Sequence, residues 1–194
     1  MLNIFSIFLF RFVRPQALDE HFVEAVSCGA HHTFCLARGS RVFSFGHGEY
    51  GQQGTGDFGA VGERNRNLLL PREFHLPYDL ASGGAPPSIV ITITCGHLHT
   101  LFGLADGSVW SCGWGVDGVL GHGDKKYRAI PTPVRALEGE RVQHLASGWR
   151  HNLIVKVRSR ADDGDVARRH FALIAFIALG KSVPDAGHID HICL

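Results

Sequence analysis

At 194 residues the chain is long enough to bury a core as one domain, and its 19 basic and 18 acidic side chains nearly cancel. That balance leaves no electrostatic footprint for DNA or RNA, so nucleic acid or chromatin as a partner has no support from charge. Five cysteines without paired spacing exclude a disulfide framework and point to a reducing, intracellular compartment, cytoplasm or nucleus.

The chain begins with an apolar stretch, Met1 to Val13. It is far shorter than the roughly 20 residues a membrane-spanning helix needs. It also lacks the basic start and small-residue cleavage site of a signal peptide. Residues 1–21 are therefore left unassigned, either as a strand that pairs with a sheet or as the product of an alternative first exon. Uncovered, such a stretch is an aggregation hazard.

Phe22 to Cys28 reads as a strand anchored by Val23 and Val26. Thr33 to Leu36 and Val42 to Phe45 follow as strands joined at Arg38-Gly39-Ser40. Two Gly- or Pro-rich segments come next, Phe58 to Asn67 and Ser82 to Ser88, with Arg64, Arg66 and Arg72 making the first locally basic. Both read as solvated loops. Ile89 to Thr94 alternates as a strand, and a hairpin over Asp106-Gly107 leads into Val109 to Gly113. The glycines at 113, 115, 118, 121 and 123 then cannot be helical, since each costs about 1 kcal/mol against alanine there. They mark a tightly wound loop. Pro131 to Val134 begins an edge strand, and Val142 to Ala146 opens a further strand.

The segment Gly29 to Asp57 aligns without a gap on Gly96 to Asp124, at a spacing of 67 residues. His32-Thr33 falls on His99-Thr100, and Gly46, Gly48, Gly51, Gly54, Gly56 and Asp57 fall on Gly113, Gly115, Gly118, Gly121, Gly123 and Asp124. A third copy opens 52 residues after Gly96, as Gly148-Trp149-Arg150-His151-Asn152, and loses the pattern after Val155. This is an internal repeat, and the fold follows from it. Residues 22–157 hold the repeats, as 22–88, 89–141 and a partial 142–157, and 158–194 form a divergent tail. Within that tail the apolar run Phe171 to Leu179 suits a short buried helix or a strand.

Cys-Gly-x-x-His-Thr, an apolar run, Asp-Gly-x-Val-Trp-Ser-x-Gly-x-Gly, Leu-Gly-His-Gly-Asp and Pro131-Thr132-Pro133-Val134 together resemble the repeat of the regulator of chromosome condensation family. The resemblance covers residues 23 to 157. It implies an all-β fold, an incomplete β-propeller of four-stranded antiparallel blades with irregular N- and C-terminal segments. A ring of about seven such repeats needs roughly 350 residues, so about two and a half repeats read as a fragment of a larger propeller. The family's founding member is a guanine nucleotide exchange factor for the small GTPase Ran and binds chromatin. Other members carry an appended ubiquitin-ligase or kinase domain, which nothing after Val155 resembles. Gly148-Trp149-Arg150-His151 is also similar to the motif by which light-sensing members place Trp beside Arg. Here it occurs once, so the expectation is that Trp149 packs between blades.

The remaining chemistry is sparse. Cys28 with His31 and His32, Cys95 with His97 and His99, and His188, His191 and Cys193 in the tail lack the converging paired arms of a zinc site. Cys35 aligns with Phe102 and Cys112 with Phe45, the behaviour of small core residues. No metal and no cofactor is expected. The recurrent His-Thr is read as a buried hydrogen bond tying strand to loop within each blade, with the Thr on the opposite face. No nucleophile elbow, phosphate loop or dinucleotide fingerprint is present, so the chain is read as a non-enzyme. The function expected is a protein–protein interaction scaffold, with nucleotide exchange on a Ran-like small GTPase as the alternative. Glu49, Tyr50, Asp57, Asp117 and Asp124, on or beside the glycine loops, are the expected contacts to a basic partner surface.

Overall fold

The repeat predicts antiparallel sheets packed face to face, and the computed structural model has that architecture over the residues it describes, 16–56, 68–77, 88–157 and 173–178. The N-terminal apolar segment, the loop insertions 57–67 and 78–87, and the tail apart from 173–178 lie outside those residues. Strands β1 (Val23–Cys28), β2 (His32–Ala37), β3 (Arg41–Gly46) and β4 (Leu68–Phe74) form one four-stranded sheet in that order. Strands β5 (Val90–Cys95), β6 (His99–Leu104), β7 (Val109–Gly113) and β8 (Arg128–Pro133) form the second. Every neighbouring pair is antiparallel. Arg72, expected in a basic loop, instead sits in β4 opposite Ser44.

The third sheet holds β9 (Arg141–Ser147), β10 (His151–Val157) and β11 (Leu173–Ala178), with β10 in the middle. The tail run left open between helix and strand is thus a strand, with His151 opposite Ala178 and Lys156 opposite Leu173. It lacks the repeat's Val-x-Ser-x-Gly signature. Pairing on a sheet edge needs only extended backbone and a strand-forming apolar composition, which this run has.

The hydrophobic core lies between sheets. Phe34, Val42, Phe74, Val90, Cys95, Phe102, Leu104 and Cys112 form one cluster joining the first two sheets. Phe34 meets Phe74 and Phe102 edge-on at 5.5 and 5.3 Å, and Phe74 stacks on Phe102 at 5.1 Å. Leu101, Val109, Val134, Leu137 and Ile154 form the equivalent cluster before the third sheet. Leu137 belongs to a short 3-10 turn, Arg135–Leu137, that precedes β9. A matching turn, Gln16–Leu18, precedes β1 and places Leu18 against Cys35, Ala37 and Phe43. Burial pushes the Cys95 thiol up to about 12 and raises those of Cys35 and Cys112 as well, so these three behave as core residues; Cys28 is exposed.

A polar contact crosses each of these apolar interfaces. His32 Nε2 lies 2.9 Å from Thr100 Oγ1, and that hydroxyl donates to the Gln52 carbonyl at 2.7 Å. Because the hydroxyl's one proton is committed to Gln52, His32 must donate from Nε2. One repeat on, His99 Nε2 donates to Asn152 Oδ1 at 2.8 Å, and Asn152 Nδ2 donates to the Val119 carbonyl at 2.6 Å. Gln52 and Val119 are equivalent positions of the two glycine loops. The histidine therefore does not tie strand to loop inside its own blade, as expected from sequence. It reaches the next blade, where the residue after the next histidine also grips the loop of the blade before. His99 and Thr100, adjacent in β6, point to opposite faces and so join the second sheet to both neighbours.

The glycine of Gly-x-x-His makes room for this ring. A Cβ on Gly29, Gly96 or Gly148 would run into the ring of His32, His99 or His151 respectively. The loop is closed by Gly29 N–H to His32 O, Gly96 N–H to His99 O and Gly148 N–H to His151 O, at 2.8, 2.8 and 2.9 Å. In the glycine loops, positive φ recurs at equivalent places, Gly46 and Gly113, Gly51 and Gly118, Gly54 and Gly121, Gly56 and Gly123. Gly115 has a different reason: a Cβ there would overlap the Lys126 carbonyl.

Two outcomes are expected. Gly96→Ala displaces the buried His99 ring from its bond to Asn152 Oδ1, so unfolding free energy in urea should drop by roughly 2–4 kcal/mol. The second concerns pH. Burial, the largest cause, holds His32 at about 3 and His99 at about 4, against an ordinary 6.5. Below pH 6.5 the unfolded chain binds protons that the folded chain does not. Stability is then full above pH 6.5 and falls as pH drops toward 4, by up to about 1.4 kcal/mol per pH unit for each ring. Urea midpoints between pH 7.5 and 5 should show that slope, and His99→Gln should reduce it.

Candidate protein-interaction surface

The two loop families that carry the repeat signature come together at one end of the sheets. The His47 N–H donates to the His31 carbonyl at 2.7 Å, and the Trp114 N–H to the Leu98 carbonyl at 2.8 Å. Each bond fastens the start of a glycine loop to the Gly-x-x-His loop beside it. Side chains leaving these loops therefore share one rim.

Rings cross that rim from blade to blade. His31 of the first repeat lies 6.3 Å from His97 of the second, and His97 stacks on Trp149 of the third at 3.7 Å and 12°. His31 also meets His47 at 6.1 Å, and His47 meets Tyr50 at 6.2 Å. Tyr50 then packs edge-on against Trp114 at 4.9 Å, and Trp114 stacks on Tyr127 at 4.8 Å. Burial followed by the nearby His31 and Arg150 lowers the pKa of His97. Burial followed by Tyr50 and Asp117 raises that of Tyr127.

Trp149 reaches a neighbouring blade, as expected, but on the outside: it is 62% exposed. Its partner is His97. Arg150 turns away to Asp117, with Nε 3.3 Å from Oδ2, another contact between repeats. That carboxylate oxygen is buried and makes no hydrogen bond among the described residues, so the pair is held by charge alone.

The expected contact residues fall into three situations. Tyr50 sits in the ring surface. Glu49, Asp117 and Asp124 are on the glycine loops, and each is paired within the chain: Glu49 with His47 at 3.2 Å, Asp117 with Arg150, and Asp124 with Arg128. Arg128 forks onto both oxygens of Asp124 at 2.9 and 3.0 Å while the Lys126 N–H adds a third bond. Those bonds hold the Asp124 carboxyl well below the usual range. Asp57 lies outside the described residues. Each of these three carboxylates thus has a partner within the chain.

Sequence reading missed Trp114, Tyr127, His31, His47 and His97 as surface residues. A signal was present, because Ala30, His97 and Trp149 share one repeat offset, as do His47 and Trp114. Positions that vary between a small residue and a ring, inside an otherwise fixed loop, mark side chains freed from packing.

Two family models, each described as a regulator of chromosome condensation (RCC1) repeat, match residues 106–155 and 23–52. The ultraviolet-B receptor UVR8 of Arabidopsis thaliana is 30% identical over 138 residues, which is 71% of this chain and 28% of the receptor. A human RCC1-like G exchanging factor-like protein is 35% identical over 119 residues, 61% of this chain and 23% of that protein. Among solved structures, Prp20p of Saccharomyces cerevisiae, described with its binding to Gsp1p and histones, superposes with a TM-score of 0.61 at 16% identity. That match covers 74% of this chain and 33% of Prp20p, and at such identity it speaks for the fold alone. The chain spans between about a quarter and a third of the length of each of these proteins.

Proposed function

The chain carries repeats of the regulator of chromosome condensation type in a propeller-like stack of blades, and from that premise we propose that it is a protein–protein interaction scaffold. The observation that carries this reading is the row of rings laid across all three repeats on one rim. Aromatic rings give a large contact area at low entropic cost and are over-represented among the residues that dominate binding. Their faces also attract guanidinium and ammonium groups by about 0.5–2 kcal/mol. A partner presenting a basic segment therefore suits this surface better than an acidic or apolar one. Glu49, Tyr50, Asp57, Asp117 and Asp124 remain the proposed contacts, with the carboxylates acting chiefly on the rate of encounter. Trp149, Trp114 and His97 join them as anchors. The chain is read as non-catalytic.

The similarity to an exchange-factor-like protein favours one second reading, nucleotide exchange on a Ran-like small GTPase. Exchange requires stabilising the nucleotide-free GTPase, which calls for a broad preorganised surface gathered from many blades. Three sheets offer only a sector of that surface.

One partner tests both readings. Binding of a Ran-like GTPase is measured by biolayer interferometry, and release of a fluorescent guanine nucleotide by stopped flow. The scaffold reading expects binding that weakens about tenfold with Tyr50→Ala or Trp149→Ala and a release rate that does not change. Release accelerated by several orders of magnitude, and abolished by Asp117→Ala together with Asp124→Ala, would replace the scaffold with the regulator. No binding by the unaltered chain would remove this GTPase from both.

A further inference from the structure

Three of the rings on the rim are histidines, and they are neighbours. His31, which is exposed, lies 6.1 Å from His47 and 6.3 Å from His97, both half-buried. Imidazole is the side chain whose charge ordinarily changes near neutral pH, which Trp and Tyr do not share. The middle of the rim can therefore gain positive charge while its Trp and Tyr rings stay as they are.

His47 is the one whose charge the geometry resists most directly. Fully buried Gln52 accepts the Tyr50 N–H on Oε1 at 2.9 Å, and that bond turns the amide nitrogen toward His47 Nδ1 at 3.1 Å. The amide nitrogen can only donate, so Nδ1 accepts and the ring's single proton sits on Nε2, 3.2 Å from Glu49 Oε2. A second proton on Nδ1 would set N–H against N–H. Either the ring leaves Gln52, or the amide turns over and gives up the Tyr50 N–H. Both undo the brace behind the loop that presents Tyr50. Around the cluster, Glu49 favours the charged form of His47, whereas His31 and the buried His32 face it as further imidazoles. His97 faces His31, Arg150 and the buried His99, and stacks on Trp149.

We propose that His47 is a proton switch on the rim: it holds the first glycine loop in its binding form when neutral and loosens the grip on a basic partner when charged. This rests on the reading of the rim as a surface for such a partner. Two effects act in the same direction. Protonation of His47 withdraws the support of Tyr50, one of the proposed contacts, and charge gathered on His31, His47 and His97 repels a basic segment. A charged His97 also holds the face of Trp149 more tightly, and that face is then closed to a cation from the partner.

The test uses a fluorescein-labelled hexa-arginine peptide, which carries no group that titrates near neutral pH on its arginines, and the full chain. Binding is followed by polarised emission of the label at pH 7.5 and 6.0, at constant ionic strength, with circular dichroism to verify folding at both. Affinity should fall about tenfold between the two. His47→Asn offers Gln52 an oxygen acceptor that does not titrate, and it should cut that ratio to about threefold or less. Equal affinity at both pH values would overturn the switch and leave the scaffold reading standing. The same ratio in the unaltered chain and in His47→Asn would also overturn it. Absence of peptide binding at pH 7.5 would remove the basic partner, and the switch with it.

Discussion

The stack rests on a neutral imidazole donating a proton across an otherwise apolar interface. A buried polar group without a partner costs about 1–3 kcal/mol, so each buried histidine Nε2–H must find the Thr or Asn oxygen of the next sheet for the sheets to dock in register. Phenylalanine and leucine contacts supply attraction but accept many relative placements. A hydrogen bond 2.8 to 2.9 Å long accepts one. The glycine three residues earlier, the loop carbonyl and the strand alternation are all arranged around that bond. Burial, which disfavours the charged ring, makes the packing of sheets sensitive to proton concentration.

Much of the architecture was legible in the sequence because the repeat is written in residues whose roles are local. Glycines at positive φ, a strand with alternating burial and a hairpin turn each follow from a few neighbouring positions. That the strands would pair as blades came from the self-similarity at 67 and 52 residues. What stayed hidden depends on distant partners. The direction of the histidine bond could not be read, since strand-to-loop and blade-to-blade contacts both satisfy the same ring. Leu173 to Ala178 was left open because an edge strand needs no motif, only a free edge to pair with.

The rim shows the same division. Glu49, Asp117 and Asp124 stood out as acids on tightly wound loops, and they are there. Their pairing with His47, Arg150 and Arg128 depends on chain folding back from elsewhere, and one of those partners lies in another repeat. Buried Gln52 was unreadable for a similar reason. Its Oε1 accepts the Tyr50 N–H at 2.9 Å and its Nε2 lies 3.1 Å from His47 Nδ1, so it braces the first glycine loop from inside. The second loop has Val119 there and leans instead on Ser111, whose hydroxyl donates to the Leu120 carbonyl at 2.8 Å. One loop shape is thus held by two unrelated sets of side chains.

The capture of each glycine loop by the following sheet has a consequence for synthesis. Thr100 grips a carbonyl 48 residues behind it, and Asn152 one 33 residues behind. As the chain leaves the ribosome, a blade can pair its own strands while its loop still awaits a residue not yet translated. At about 5–20 residues per second that wait lasts several seconds. Maturation therefore runs one blade behind elongation, and a pause in translation between repeats would hold the newest loop open for as long as the pause lasts.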